Sequence, residues 1–186
     1  MITALRKGYV FLLFAMILLA GGIVVSRVAN AAGPFTFEAI EGGAITLEDW
    51  RGKPVLVVNT ASRCGFTPQY DELQALYDRY ASKGLIVLAV PSNDFRQELG
   101  SAEAVQEFCE ANFNLTLPMT DITHVKGPKA HPFFKWVRES VGFEPAWNFN
   151  KILIGPNGDV LGTWGSAVKP LSGKIVDPIE AALGAS

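Results

Sequence analysis

The chain holds little with which to bind a metal or build a disulfide framework: its 186 residues include two cysteines and two histidines. Cys64 and Cys109 form no C-x-x-C pair, and His124 and His131 share no metal-ligand spacing with each other or with a cysteine. Both histidines are assigned to structure, His131 as the residue that starts a helix ahead of Pro132, and no metal or resident cofactor is expected. A basic excess is missing as well. The formal net charge is −2, with no basic stripe to neutralise phosphates, which argues against nucleic acid as a partner. Repeats, low-complexity stretches and an internal linker are absent.

What stands at the start is a long apolar run. Arg6 and Lys7 precede residues 9–25, and Ser26-Arg27-Val28-Ala29-Asn30-Ala31-Ala32 follows. This is the layout of an export signal, with Ala29-Asn30-Ala31 supplying small residues for cleavage. The run slightly exceeds a usual signal core of roughly 7–15 residues and just reaches the roughly 17–25 of a membrane span. An N-terminal membrane anchor over residues 1–32 is therefore the competing reading. Either one carries residues 33–186 out of the cytoplasm, and a bacterial periplasm is the expected location. The leader contributes Arg6, Lys7 and Arg27 and no acid, so its removal takes the formal charge from −2 to −5. The remainder has an ordinary length for one domain with a single core.

Chemistry is concentrated around Asn59-Thr60-Ala61-Ser62-Arg63-Cys64-Gly65-Phe66-Thr67. The preceding Val55-Leu56-Val57-Val58 is continuously apolar and β-branched, as in a strand covered on both faces. Thr67 as N-cap and Pro68 at the first helical position predict a helix next. Cys64 then lies ahead of unsatisfied backbone N–H groups and beside Arg63, surroundings that lower a thiol pKa from roughly 8.5. The competing reading is a loop cysteine that merely follows a strand. Two further polar segments border apolar runs: Val90-Pro91-Ser92-Asn93-Asp94-Phe95-Arg96-Gln97-Glu98 follows 85–89, and Pro145-Ala146-Trp147-Asn148-Phe149-Asn150-Lys151 precedes 152–154. Open α/β sheets gather their sites at strand ends of this kind.

Spacing and turn signals predict the rest. Residues 35–38 and 44–47 pair as a hairpin around Gly42-Gly43, and 55–59 and 86–90 are strands. Helices are predicted over 68–81 with Gly84 as the stop, from the cap Ser101 to about 112, over 132–139, and over 172–183, where Ile175, Val176, Ile179 and Leu183 are to be buried. Residues 151–154 and 160–164 flank Pro156-Asn157-Gly158-Asp159, a hairpin signal. Strand, helix, strand, helix, hairpin, helix predicts an α/β, thioredoxin-like fold, a central mixed sheet flanked by helices.

N-T-A-S-R-C-G-F-T-P-Q-Y, P-S-N-D-F-R-Q-E and W-N-F-N-K, in this order, resemble the glutathione peroxidase family, and the resemblance runs from about Phe35 to the C-terminus. It implies a peroxidatic residue at Cys64, a supporting glutamine at Gln97, an indole donor at Trp147 and an amide at Asn148. Departures fall beside these four: V-P-S-N-D-F stands where relatives often read F-P-C-N-Q-F, and W-N-F-N-K-I where they read W-N-F-T-K-F. The implied activity is reduction of hydrogen peroxide and organic or lipid hydroperoxides, with a thiol as co-substrate, thioredoxin-like protein or glutathione. A Cys64 thiolate would attack one peroxide oxygen and become a sulfenic acid. Trp147, Gln97 and Asn148 are neutral donors for the thiolate and the departing oxygen. Cys109 reads either as a small core residue, on a face shared with Val105, Phe108 and Asn112, or as a resolving thiol that condenses with the sulfenic acid. It stands one position from the cysteine some relatives use. Tetrameric relatives carry an extra loop before W-N-F, whereas residues 140–146 alone bridge that gap here, which implies a monomer with an open site.

Rival chemistries are separable on these residues. Cys64-Gly65-Phe66-Thr67 lacks the second cysteine of a dithiol exchanger. A peroxiredoxin would carry threonine where Ala61 stands, and a copper-delivery protein a cysteine at Pro68. A peroxide sensor would use the same Cys64 but react stoichiometrically and relay oxidation to a partner. Lys126, Lys129 and Lys135 are read as a solvated surface, and Phe133, Phe134 and Trp136 as helix packing.

Overall fold

The computed structural model describes residues 33–184. The export signal or anchor expected over residues 1–32 lies outside the described residues. Among those described, no helix is long and apolar enough to cross a membrane.

The chain opens with a small antiparallel hairpin, β1 (Thr36–Glu38) and β2 (Ala44–Thr46), turned through Gly42 and Gly43 at φ 89° and 83°, conformations that favour glycine. There follow β3 (Val55–Thr60), α1 (Gln69–Tyr80), β4 (Ile86–Pro91), α2 (Ala102–Phe113), α3 (Pro132–Val141), β5 (Lys151–Ile154), β6 (Val160–Trp164) and α4 (Gly173–Gly184). The main sheet has the order β4-β3-β5-β6, with β3 parallel to β4 and antiparallel to β5. The expected mixed sheet flanked by helices is thus present, with element ends shifted by a residue or two.

Alternation along β3 divides the core. Leu56 and Val58 face Tyr70, Leu73 and Leu76 of α1, Val105 and Cys109 of α2, and Ile175 and Ile179 of α4. Val55 and Val57 face Phe37 of the hairpin and Phe133, Phe134, Trp136 and Val137 of α3. In α4, Ile175, Val176 and Ile179 are buried as expected, while Leu183 is half-buried and Ala182 takes the buried position of the last turn. Two helix starts follow the sequence closely. Ser101 Oγ accepts the Ala104 N–H at 3.3 Å, and His131 Nδ1 accepts the Phe133 N–H at 3.2 Å. His131 also bonds the Thr36 carbonyl through Nε2 at 2.8 Å and stacks on Phe37 at 3.9 Å, so one ring joins α3 to the hairpin.

Strand direction brings the polar segments together. Because β3 and β4 are parallel, the loops leaving them emerge at one edge, where the Ser92 N–H donates to the Thr60 carbonyl at 3.0 Å. β5 is antiparallel to β3 and pairs Lys151 with Val58, so the turn entering β5 meets the same edge.

Candidate active site

Cys64 sits in a succession of tight turns between β3 and α1 and is 7% exposed. Thr67 does not cap α1 as expected. Its hydroxyl accepts the Cys64 N–H at 3.0 Å and donates to the Ala61 carbonyl at 2.9 Å, closing the cysteine loop on itself. α1 begins at Gln69 without a side-chain cap, after turn bonds from Thr67 N to Cys64 O and from Gln69 N to Phe66 O. The backbone donor that reaches the sulfur is therefore Phe66 N–H, 3.4 Å from Sγ, in the turn ahead of the helix. Arg63 is exposed, and its N–H donates to the Gln97 carbonyl at 2.9 Å, coupling this loop to the second motif.

Gln97 and Asn148 meet directly. Asn148 is fully buried and donates from Nδ2 to Gln97 Oε1 at 2.9 Å, which turns the amide nitrogen of Gln97 away from Asn148 and leaves it without an acceptor among the described residues. Asn148 Oδ1 is buried and unpartnered. Trp147 is no core aromatic: it is 41% exposed, with its ring 5.4 Å from that of Phe95.

The scaffold behind these groups includes residues that sequence reasoning passed over. Asn59, 1% exposed near the end of β3, donates from Nδ2 to the Trp147 carbonyl at 3.0 Å and accepts the Asn150 N–H at Oδ1, also at 3.0 Å. One side chain thus holds both ends of the Trp147–Asn150 turn, in which Phe149 adopts φ 60°. Lys151, read only as the start of a strand, is wholly buried. Its Nζ faces Gln69 Oε1 at 2.5 Å and the carbonyls of Val168 and Ser166 at 2.7 and 3.3 Å. Three acceptors match the three protons of an ammonium, while burial pulls the group down to about 8 against the opposing pull of Glu72. The one sequence signal for both was a polar side chain at the end of an apolar strand.

Cys109 lies in the middle of α2, 2% exposed and facing Tyr70. Val105 shares its buried face, Phe108 is half-buried, and Asn112 is exposed. Burial pushes the Cys109 thiol up to about 11. Both cysteines are free thiols. His124 pairs with Asp94 at 2.6 Å, and Asp94 also accepts the N–H groups of Val125 and Lys126. Burial would raise the Asp94 carboxyl, but the bonds from His124 and these amides outweigh it and hold the group low.

The glutathione peroxidase family model matches residues 34–138. The hydroperoxy fatty acid reductase of Synechocystis sp. is 39% identical over 158 residues, spanning 79% of this chain and 94% of that protein. Among solved structures, "Trgpx in apo form" is 34% identical with a TM-score of 0.66, over 84% of this chain and 97% of that one. A thiol:disulfide interchange protein from Chlorobium tepidum, 17% identical over 83% of this chain and 96% of that one, shares the fold with a TM-score of 0.62.

Proposed function

This chain belongs to the glutathione peroxidase family and is a thiol peroxidase; from that premise we propose that Cys64 is the sulfur oxidised by peroxide. The Cys64 thiolate attacks one peroxide oxygen, an S–O bond forms, and the O–O bond breaks. The departing oxygen takes up a proton, leaving water or an alcohol and a sulfenic acid on Cys64. The Gln97 amide N–H and the Trp147 indole N–H serve the departing charge, and Asn148 sets the direction in which Gln97 donates. The observation that carries this reading is the bond from Asn148 Nδ2 to Gln97 Oε1, on a residue whose own carbonyl is tied to Arg63 beside Cys64.

Reduction of the sulfenic acid falls to an incoming thiol rather than to Cys109. Supporting this are the burial of Cys109 within α2 and a thiol pushed up to about 11; a disulfide would further need Cα atoms within roughly 7 Å, hence unwinding of the helix. One equivalent of peroxide followed by peptide mapping tests it. Trapped sulfenic acid on Cys64 with Cys109 free is the expected state, and a Cys64–Cys109 disulfide would refute it. The reductant is a thioredoxin-like protein or glutathione, distinguished by supplying each alone.

Bulky organic and lipid hydroperoxides are substrates alongside hydrogen peroxide. Support comes from the exposed Trp147, the short bridge after α3 and a relative named for hydroperoxy fatty acids. The protein acts as an exported monomer, its leader cleaved near Ala31 or retained as an anchor. Sequencing of the mature N-terminus and sedimentation test these two statements.

A further inference from the structure

We propose that Glu98 is a positioning residue for peroxide reduction, its carboxylate latching the Cys64 loop against the segment that carries Gln97. This rests on the reading of Cys64 as the oxidised sulfur. Glu98 is 6% exposed and lies in the irregular segment after β4. Its Oε1 accepts the Ser62 N–H at 3.0 Å and the Leu99 N–H at 2.8 Å. The next residue, Arg63, gives its N–H to the Gln97 carbonyl at 2.9 Å. The two residues ahead of Cys64 are thus each bonded to one of the adjacent pair Gln97 and Glu98. Asn148 fixes the far end of Gln97. The relation between the cysteine loop and the Gln97 amide therefore depends on two short links, and one of them is the Glu98 side chain.

The chemistry of the latch is costly for a purely structural part. Glu98 Oε2 is buried and unpartnered, as is the Ser62 hydroxyl. Burial pushes the carboxyl up, opposed by the Ser62 hydroxyl, which lies near the carboxylate though out of hydrogen-bond geometry, by the N–H groups of Leu99 and Ser62, and by the charge of Arg63. A buried carboxylate whose two N–H bonds fall on one oxygen carries a desolvation cost that its partners do not outweigh. Violations of that kind concentrate at functional sites.

The test compares wild type, Glu98→Ala, Glu98→Asp and Glu98→Gln as full chains in two reactions of Cys64: oxidation by hydrogen peroxide and alkylation by iodoacetamide. Alkylation needs the thiolate but no donor aimed at a leaving oxygen. Loss of the latch in Glu98→Ala is expected to slow oxidation by about 10²-fold, the scale of a small misplacement at a reacting centre, while alkylation changes little. Asp, one methylene short of Ser62, behaves like Ala. Gln, whose amide oxygen accepts the same two N–H groups, oxidises at close to the wild-type rate. Oxidation of Glu98→Ala at the wild-type rate would overturn the proposal. So would equal slowing of both reactions, which marks a merely structural part, or a Gln variant as slow as Ala. A wild-type Cys64 that is not oxidised at all would instead remove the underlying reading, and the latch with it.

Discussion

The two thiols are both buried, yet their immediate surroundings differ. Cys64 has a backbone N–H at its sulfur and a loop that opens to exposed Arg63 and Gly65. Cys109 faces Tyr70 inside a helix, its thiol pushed up to about 11. At pH 7 a thiol of that kind is thiolate in only about one molecule in 10⁴, and the thiolate is the reactive form. Iodoacetamide at neutral pH is therefore expected to label Cys64 in the folded protein and Cys109 only after denaturation. Equal labelling of both would contradict this. Gln97→Ala, which removes the donor that Asn148 orients, should lower the peroxide rate by about 10²-fold and, by leaving the buried Asn148 amide without its acceptor, cost about 1–3 kcal/mol in denaturant unfolding; a wild-type rate would make Gln97 structural.

Helix starts and strand ends were legible where the partner is local. Ser101 caps α2 and His131 starts α3 because a side chain needs to reach only two or three residues along. Thr67 was misread for an equally physical reason, since its hydroxyl turns back to the cysteine loop and α1 starts uncapped. Thr67→Val leaves the Cys64 N–H buried without an acceptor, an expected loss of about 1–3 kcal/mol in denaturant unfolding, whereas Thr67→Ser should retain most of it. His131 gives α3 a pH dependence. Burial lowers its pKa against the opposing bond to Thr36, so below about pH 6.5 the unfolded chain binds a proton that the folded one resists. Its contribution is fully present above that pH and is lost as pH falls. The unfolding temperature of wild type should then drop more steeply between pH 6.5 and 5 than that of His131→Asn, which keeps a cap without titrating there; parallel curves would refute it.

At the scale of the whole molecule, the order of strands and helices followed from apolar periodicity, and with it the edge at which the three motifs meet. Cross-chain wiring could not be read the same way. Asn59 reaches Trp147, Lys151 reaches Gln69, and Glu98 reaches Ser62 across 88, 82 and 36 positions, and no local pattern marks such pairs. Their sequence trace is only a polar residue where an apolar one would pack. Asn59→Ala should accordingly weaken both stability and peroxide reduction, since the turn bearing Trp147 and Asn148 loses two bonds to β3. The measurement closest to the central claim is peroxide consumption by the purified protein with thioredoxin and glutathione supplied separately, for wild type, Cys64→Ser and Cys109→Ser. The account predicts sustained turnover by wild type and Cys109→Ser with at least one donor, and none by Cys64→Ser. Continued turnover by Cys64→Ser, or a wild type that reacts once and never cycles, would contradict it.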